Sequence, residues 1–428
     1  MFLLPKPLFF YVSLQTDSNL VKIYFTMKLG LIQETKIPED NRVALSPAQM
    51  AELQRQYPEH RFVAQSSRTR AFHDDAYQQV GIEVVEDVSD CDVLFGIKEA
   101  DIASLLPDKH YFFFGHIAKM QAYNRPLLRA FMEKRITFTD YEYLVDAAGR
   151  RVCAFGWWAG IVGVYYTLRG YGLRHRLYEL PRPDRHFTLD ALKSALRSVN
   201  LPPVKMLVTG NGRVSQGAQY ILDEIGAPRL SEEHFFAADT VNALSYVVAD
   251  ADRLVRRADG QPFSWDDFTS HPGNYRSDFH RWAAAADILL CAHFWSPDAP
   301  VYLTHNDLKD SSVRIRFIGD VTCDIQGSIQ STLRASTHDD PYYDYNPQTA
   351  QEEPAFSSDR NITVMAVDTC PNALALDTSA YFGEMLMKHV LPELLSSQHS
   401  PVIERGTILD KGVLTPHFDY LKSFAEGK

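Results

Sequence analysis

The stretch Val208-Thr209-Gly210-Asn211-Gly212-Arg213-Val214-Ser215-Gln216-Gly217-Ala218 constrains this chain more than any other. The apolar run Val204 to Thr209 reads as a strand entering a turn, and a helix through Ile221 and Leu222 leaves it. Glycine at 210 permits a tight turn. Glycine at 212 lets the backbone approach a pyrophosphate, which would rest on the helix N-terminus, where unpaired N–H groups and the dipole favour an anion. The third glycine is late, giving GxGxxxxG rather than GxGxxG. Gly210, Gly212, Arg213, Val214 and Gly217 are thus candidate cofactor contacts. An acid for the adenosine ribose is expected about 20 residues on, at the end of the next strand. There Glu232 can take the ribose, or Arg229 a 2′-phosphate, so the cofactor reads as NAD or NADP.

Strands and helices alternate on both sides of this turn. Lys28 to Gln33, Arg61 to Ala64, Val84-Val85, Val93 to Ile97, Tyr111 to Phe114 and Ile136 to Thr139 read as strands. Ser46 reads as the N-cap of a helix from Pro47, and Pro126 to Glu133 as another helix. A long helix is expected over Trp157 to Arg174, then strands at Asp287 to Cys291, Arg316 to Val321 and Asn361 to Val367. Thr337 to Ser358, rich in Asp, Pro and Tyr, reads as a surface excursion, and Ser379 to Leu395 as the final helix. This predicts an α/β fold: two Rossmann-like domains with parallel sheets and an interdomain cleft. Residues 27–158 plus about 366–428 form the expected substrate domain, and 159–365 the dinucleotide-binding domain. Residues 1–26, apolar but broken by Pro5 and Pro7, read as an extension outside the fold.

Composition narrows the function classes. A chain of 428 residues exceeds one ordinary core. Its net charge is −11 and it has no Lys/Arg run, which argues against nucleic acid as a partner. Its five cysteines form no CxxC pair, so no metal site is expected and reduced thiols in the cytoplasm are. No apolar run reaches 18 residues, so no membrane span is expected. Small molecules remain as partners.

Lys98 and His116 each close an expected strand, where α/β proteins place their sites, and both can exchange protons. Arg42, after the first strand, offers a fork for a carboxylate. Glu142 and Arg151 flank a turn, and Asp368 follows the strand ending at Val367.

Longer segments carry a likeness. They are Arg42-Val43-Ala44-Leu45-Ser46-Pro47, Gly96-Ile97-Lys98 and Arg151-Val152-Cys153-Ala154-Phe155-Gly156-Trp157-Trp158-Ala159-Gly160. His271-Pro272-Gly273-Asn274-Tyr275 and Asp320-Val321-Thr322-Cys323-Asp324-Ile325-Gln326-Gly327-Ser328-Ile329 join them, with the Gly210 turn. Together they resemble the lysine-forming saccharopine dehydrogenases and the lysine–ketoglutarate reductase domain, within the alanine dehydrogenase and transhydrogenase group. The resemblance spans roughly Leu29 to Leu395.

The resemblance implies a reversible NAD(P)-dependent reaction in which lysine and 2-oxoglutarate condense to an imine that hydride reduces to saccharopine. It implies Lys98 and His116 as the acid–base pair, Glu142 as a tuner of that pair's charge, and Arg42 and Arg151 as carboxylate holders. It also implies Asp320 and Asp368 at the cofactor. Rival expectations are an alanine-type dehydrogenase using ammonia, or a catalytically silent dinucleotide sensor.

Overall fold

The computed structural model describes residues 26–396 and 398–428. The extension expected over 1–26 lies, up to residue 25, outside the described residues. Two compact units are present. One runs to Ala154 and resumes at Ala375–Lys428; the other is Phe155–Leu374.

The first unit opens with strands β1 (Lys28–Leu31), β2 (Arg61–Gln65), β3 (Glu83–Val85), β4 (Val93–Phe95), β5 (His110–Phe113) and β6 (Thr137–Asp140). Buried apolar runs such as Val93-Leu94-Phe95 and Tyr111-Phe112-Phe113 suit strands covered on both faces. The helix Pro47–Gln56 starts as expected: Ser46 accepts from the Gln49 amide, and the Gln49 side chain accepts from the Ser46 amide.

The second unit contributes β7 (Lys205–Thr209), β8 (Ser245–Ala249), β9 (Val255–Arg257), β10 (Tyr275–Ser277) and β11 (Ile288–Cys291). It continues with β12 (Phe317–Asp320), β13 (Tyr342–Asn346), β14 (Gln351–Glu353) and β15 (Ile362–Met365). The chain then returns to the first unit for β16 (Thr407–Asp410) and β17 (Val413–Leu414).

The first sheet runs β17-β16-β6-β5-β4-β1-β2-β3, with β1 to β6 parallel and β16 and β17 antiparallel at one edge. The second runs β14-β13-β15-β12-β11-β7-β8. Its strands β7, β8, β11, β12 and β15 are parallel, and β13 and β14 are antiparallel. In each sheet the chain starts inside, builds outward on one side, then crosses back. The reversal falls between β1 and β4 in the first sheet and between β7 and β11 in the second, and such switch points open a crevice at strand C-termini.

Three expectations are corrected. Residues 337–358 are not a surface excursion. Tyr342, Tyr343 and Tyr345 are buried in β13, and their hydroxyls bond to the Tyr166 carbonyl, the Ser331 carbonyl and His305. A tyrosine-rich segment reads as polar in sequence, but once each hydroxyl has a partner the rings pack as core. Ser379 to Leu395 is not the last helix: it divides into Ala375–His389 and Leu391–Leu395, and β16, β17 and the helix Leu421–Glu426 follow. Finally β8, absent from the sequence reading, is the strand after the glycine turn.

Among the described residues, no helix is long and apolar enough to cross a membrane. Nor, among the described residues, is any cluster of three or more His, Cys, Asp or Glu placed to hold a metal ion. The five cysteines are free thiols.

Candidate active site

In the first unit the switch point gathers titratable groups. Lys98 lies just past β4, half-buried, and His116 just past β5, the next strand in the sheet. His116 holds a left-handed backbone at φ 52°, which costs a non-glycine residue free energy that its surroundings must offset. The Glu99 carboxylate meets the His116 Nδ1 at 2.9 Å, and the Asn124 side chain donates to the His116 carbonyl at 3.1 Å. With Nδ1 engaged, proton exchange at this imidazole falls to Nε2.

Acids surround the pair. Burial would raise Glu99, but the hydrogen bonds from His116 and Lys36 outweigh it and hold the carboxyl at about 2. Glu34, three residues past β1, accepts from the Ile97 and Lys98 amides at 2.6 and 2.9 Å. Burial, reinforced by the Asp40 charge, pushes it up to about 8 against those amides and Arg42. Asp140, the last residue of β6, accepts from the Gly115 amide at 3.1 Å and the Glu142 amide at 2.9 Å. Burial lifts Asp140 to about 6 against these two bonds, with the Glu142 charge adding to the rise.

Arg42 is buried, and Asp40 grips it in two places: Nε to Oδ1 at 2.9 Å and Nη2 to Oδ2 at 2.5 Å. Burial acts to raise Asp40, but the Arg42 charge and bonds, and the Lys98 charge, hold it below its ordinary range. A predicted carboxylate clamp is thus itself held by a carboxylate. Glu142 is buried and bridges Arg151 at 2.6 Å and Lys119 at 3.4 Å. The structure therefore brings Lys98, His116, Arg42, Glu142 and Arg151 into one unit, in the segments that follow the C-terminal ends of its parallel strands. Sequence reasoning missed Glu34, Asp40, Glu99 and Asp140. Three of them lie within two residues of a chosen one: Asp40 beside Arg42, Glu99 beside Lys98, and Asp140 beside Glu142.

In the second unit the glycine turn leaves β7 at its own switch point. Gly210 has φ +81°, and a Cβ there would lie 2.7 Å from the His293 Cα after β11. Gly212 caps the helix Arg213–Glu224, and a Cβ on it would meet nothing within 4 Å. Arg213 is exposed and Val214 half-buried, and a 12-residue helix begins directly after Gly212, whose α-carbon faces open space. That arrangement fits a dinucleotide pyrophosphate.

Three cofactor expectations change. A Cβ on Gly217 would collide with the Trp157 carbonyl, and one on Gly160 with the Val214 carbonyl. Gly217 therefore seats its helix against the long helix Gly156–His175. Glu232 does not end the second strand. Residues 228–230 and the helix Glu232–Ala237 intervene, and Glu232 pairs with Arg281 at 3.0 Å and Arg253 at 3.7 Å. The residue that follows β8 is Asp250, half-buried, with one carboxylate oxygen on the Ala251 amide. Asp320 is fully buried and spends both oxygens inside its own loop, accepting from Thr322, Cys323 and Thr332. Asp368 stands exposed just past β15. His293 is buried between Thr209 and Ser328 hydroxyls, and burial drops it to about 3, so it stays neutral.

Residues 30–162 match the family described as alanine dehydrogenase/PNT, N-terminal domain. The chain is 29% identical to an alpha-aminoadipic semialdehyde synthase of Arabidopsis thaliana, over 92% of this chain and 41% of that protein. It is 26% identical to a Candida glabrata saccharopine dehydrogenase [NAD(+), L-lysine-forming], over 89% of this chain and 95% of that one. It thus spans less than half the length of the synthases it matches. A solved L-alanine dehydrogenase superposes with a TM-score of 0.62 at 17% identity, covering 93% of this chain and 100% of that one. A transhydrogenase from Sinorhizobium meliloti gives 0.55 at 14%, covering 91% and 98%. The chain is therefore similar in sequence to saccharopine dehydrogenases and to part of the alpha-aminoadipic semialdehyde synthases, and it has the alanine dehydrogenase fold.

Proposed function

We propose that this protein is an NAD-dependent oxidoreductase acting on a CH–NH bond, joining the lysine side-chain amine to 2-oxoglutarate as saccharopine, and reversing that reaction. The observation that carries the reading is Lys98 and His116 at the ends of adjacent strands, with acids around both. The relatives' names support the substrate class.

The amine nitrogen bonds to the 2-oxo carbon, water leaves, and the resulting imine carbon accepts hydride while its nitrogen takes a proton. The reduced nicotinamide, when bound, supplies that hydride. Condensation and its reversal need protons moved at nitrogen and oxygen near neutral pH, and His116, through Nε2, and Lys98 exchange them. Arg42, oriented by Asp40, and Arg151 hold the substrate carboxylates. Glu142, against Arg151 and Lys119, offsets positive charge in the cluster. Gly210, Gly212 and the amides of Arg213 and Val214 would hold the pyrophosphate, and Asp250 the adenosine ribose. A carboxylate there repels a 2′-phosphate, which favours NAD over NADP.

The test follows the absorbance of reduced nicotinamide in the purified chain. Lysine with 2-oxoglutarate should consume NADH faster than NADPH, and Asp250→Ser should narrow that preference. Consumption only with ammonia and pyruvate would replace this reading with an alanine-type dehydrogenase. No consumption with either pair, but retained NADH binding, would leave a dinucleotide sensor.

A further inference from the structure

The two proton-exchanging residues share a construction that the reaction chemistry does not itself require. Each is presented by a strand, and the neighbouring strand carries a carboxyl that grips the backbone beside it. Glu34, beyond β1, holds the amides of Ile97 and Lys98, beyond β4. Asp140, at the end of β6, holds the amide of Gly115, beyond β5 and next to His116. Beyond β4 a glycine clears the approach, and beyond β5 a glycine makes room for the Phe138 ring. A Cβ on Gly96 would lie 3.3 Å from the Glu34 Oε1 and 3.0 Å from the Ile32 Cδ1. A Cβ on Gly115 would lie 2.6 Å from the Phe138 Cζ.

We infer that Glu34 and Asp140 are positioning residues: carboxyl clamps that fix the backbone presenting Lys98 and His116, without themselves touching substrate. This rests on the reading that Lys98 and His116 exchange protons with the substrate. Chain just past a strand has lost its ladder partners, and two side-chain acceptors replace them. Asp140 also anchors the chain one peptide ahead of the left-handed His116, at the Gly115 amide. Burial raises both carboxyls, in keeping with groups turned toward protein amides and away from water.

The experiment uses the full chain with Glu34→Gln, Glu34→Ala, Asp140→Asn and, as reference, Lys98→Met. Turnover, dinucleotide affinity by nicotinamide fluorescence, and hydrogen exchange at the Ile97, Lys98 and Gly115 amides are measured well below the melting temperature. The clamp variants should lower kcat roughly 10- to 100-fold, the cost of a misplaced catalytic group. Dinucleotide affinity should hold, and exchange should quicken at the amides each variant releases. Gln keeps one acceptor, so Glu34→Gln should lose less than Glu34→Ala. Faster exchange with wild-type kcat would overturn the inference, as would a kcat loss that tracks equal loss of dinucleotide affinity. Wild-type turnover in Lys98→Met would instead overturn the reading of Lys98.

Discussion

The two units use the same topological device for opposite ends. At the switch point of the first sheet, the strand ends carry Glu34, Lys98, Glu99, His116 and Asp140, several shifted from their ordinary titration by burial or by one another. In the second, β7, β11 and β12 end on Gly210, a histidine kept neutral and an aspartate whose oxygens are used up within its own loop, with Asp250 and Asp368 past the flanking β8 and β15. On the proposed function, one edge moves protons and the other leaves room for an anion. Parallel strands fix where a site opens but not its chemistry, which depends on the few residues just past each strand.

The sharpest test of the contrast is Lys98→Met. It should cost roughly 10²- to 10⁴-fold in kcat, the usual contribution of an acid–base group, with dinucleotide affinity unchanged in fluorescence titration. Equal loss of both would mean the two edges do not divide their labour. Next come the glycines of the second edge. Gly217→Ala forces a Cβ into the Trp157 carbonyl and should destabilise the fold by about 1–3 kcal/mol in denaturant titration. Gly212→Ala meets no protein atom within 4 Å, so it should leave stability alone and weaken only dinucleotide binding. A reversed pattern would mean that Gly212 packs and Gly217 binds.

The smallest effect concerns Glu99. Its carboxyl sits at about 2 in the folded chain against an ordinary 4.5. Because the folded value is depressed, the unfolded chain binds the proton first, and stability from this group is complete above pH 4.5 and lost as pH falls toward 2. Glu99→Gln should therefore melt closer to wild type at low pH than at neutral pH. A constant gap in thermal denaturation across that range would remove the His116 and Lys36 bonds as the cause.

Much of this was legible because it rests on local signals. A strand entering glycines and leaving as a helix needs no tertiary information, and neither does a lysine or histidine closing an apolar run. The acid after β8 was not legible. The helix Glu232–Ala237 stands between the turn and its partner strand, so counting residues lands on Glu232, an ion-pairing surface group. Asp320 lies in a segment whose likeness to relatives is long, yet its side chain builds the loop rather than facing outward. Glu34 and Asp140 escaped for a different reason. Their partners are backbone amides on adjacent strands, and strand order is set by the assembled sheet, not by any local pattern.

The contact at Gly160 and Gly217 also bears on how such a chain can diverge. Each glycine meets a carbonyl of the opposing helix, so the interlock is backbone against backbone. An overlarge side chain in a core can be accommodated by trimming its neighbour, because the neighbour is also a side chain. Here there is nothing to trim: Trp157 and Val214 present the same carbonyl whatever residue replaces them. No change of a neighbouring side chain removes the clash at either glycine. Descendants of this chain are free to vary the rings and charges around the helix pair, but these two positions have no neighbouring sequence into which they can drift.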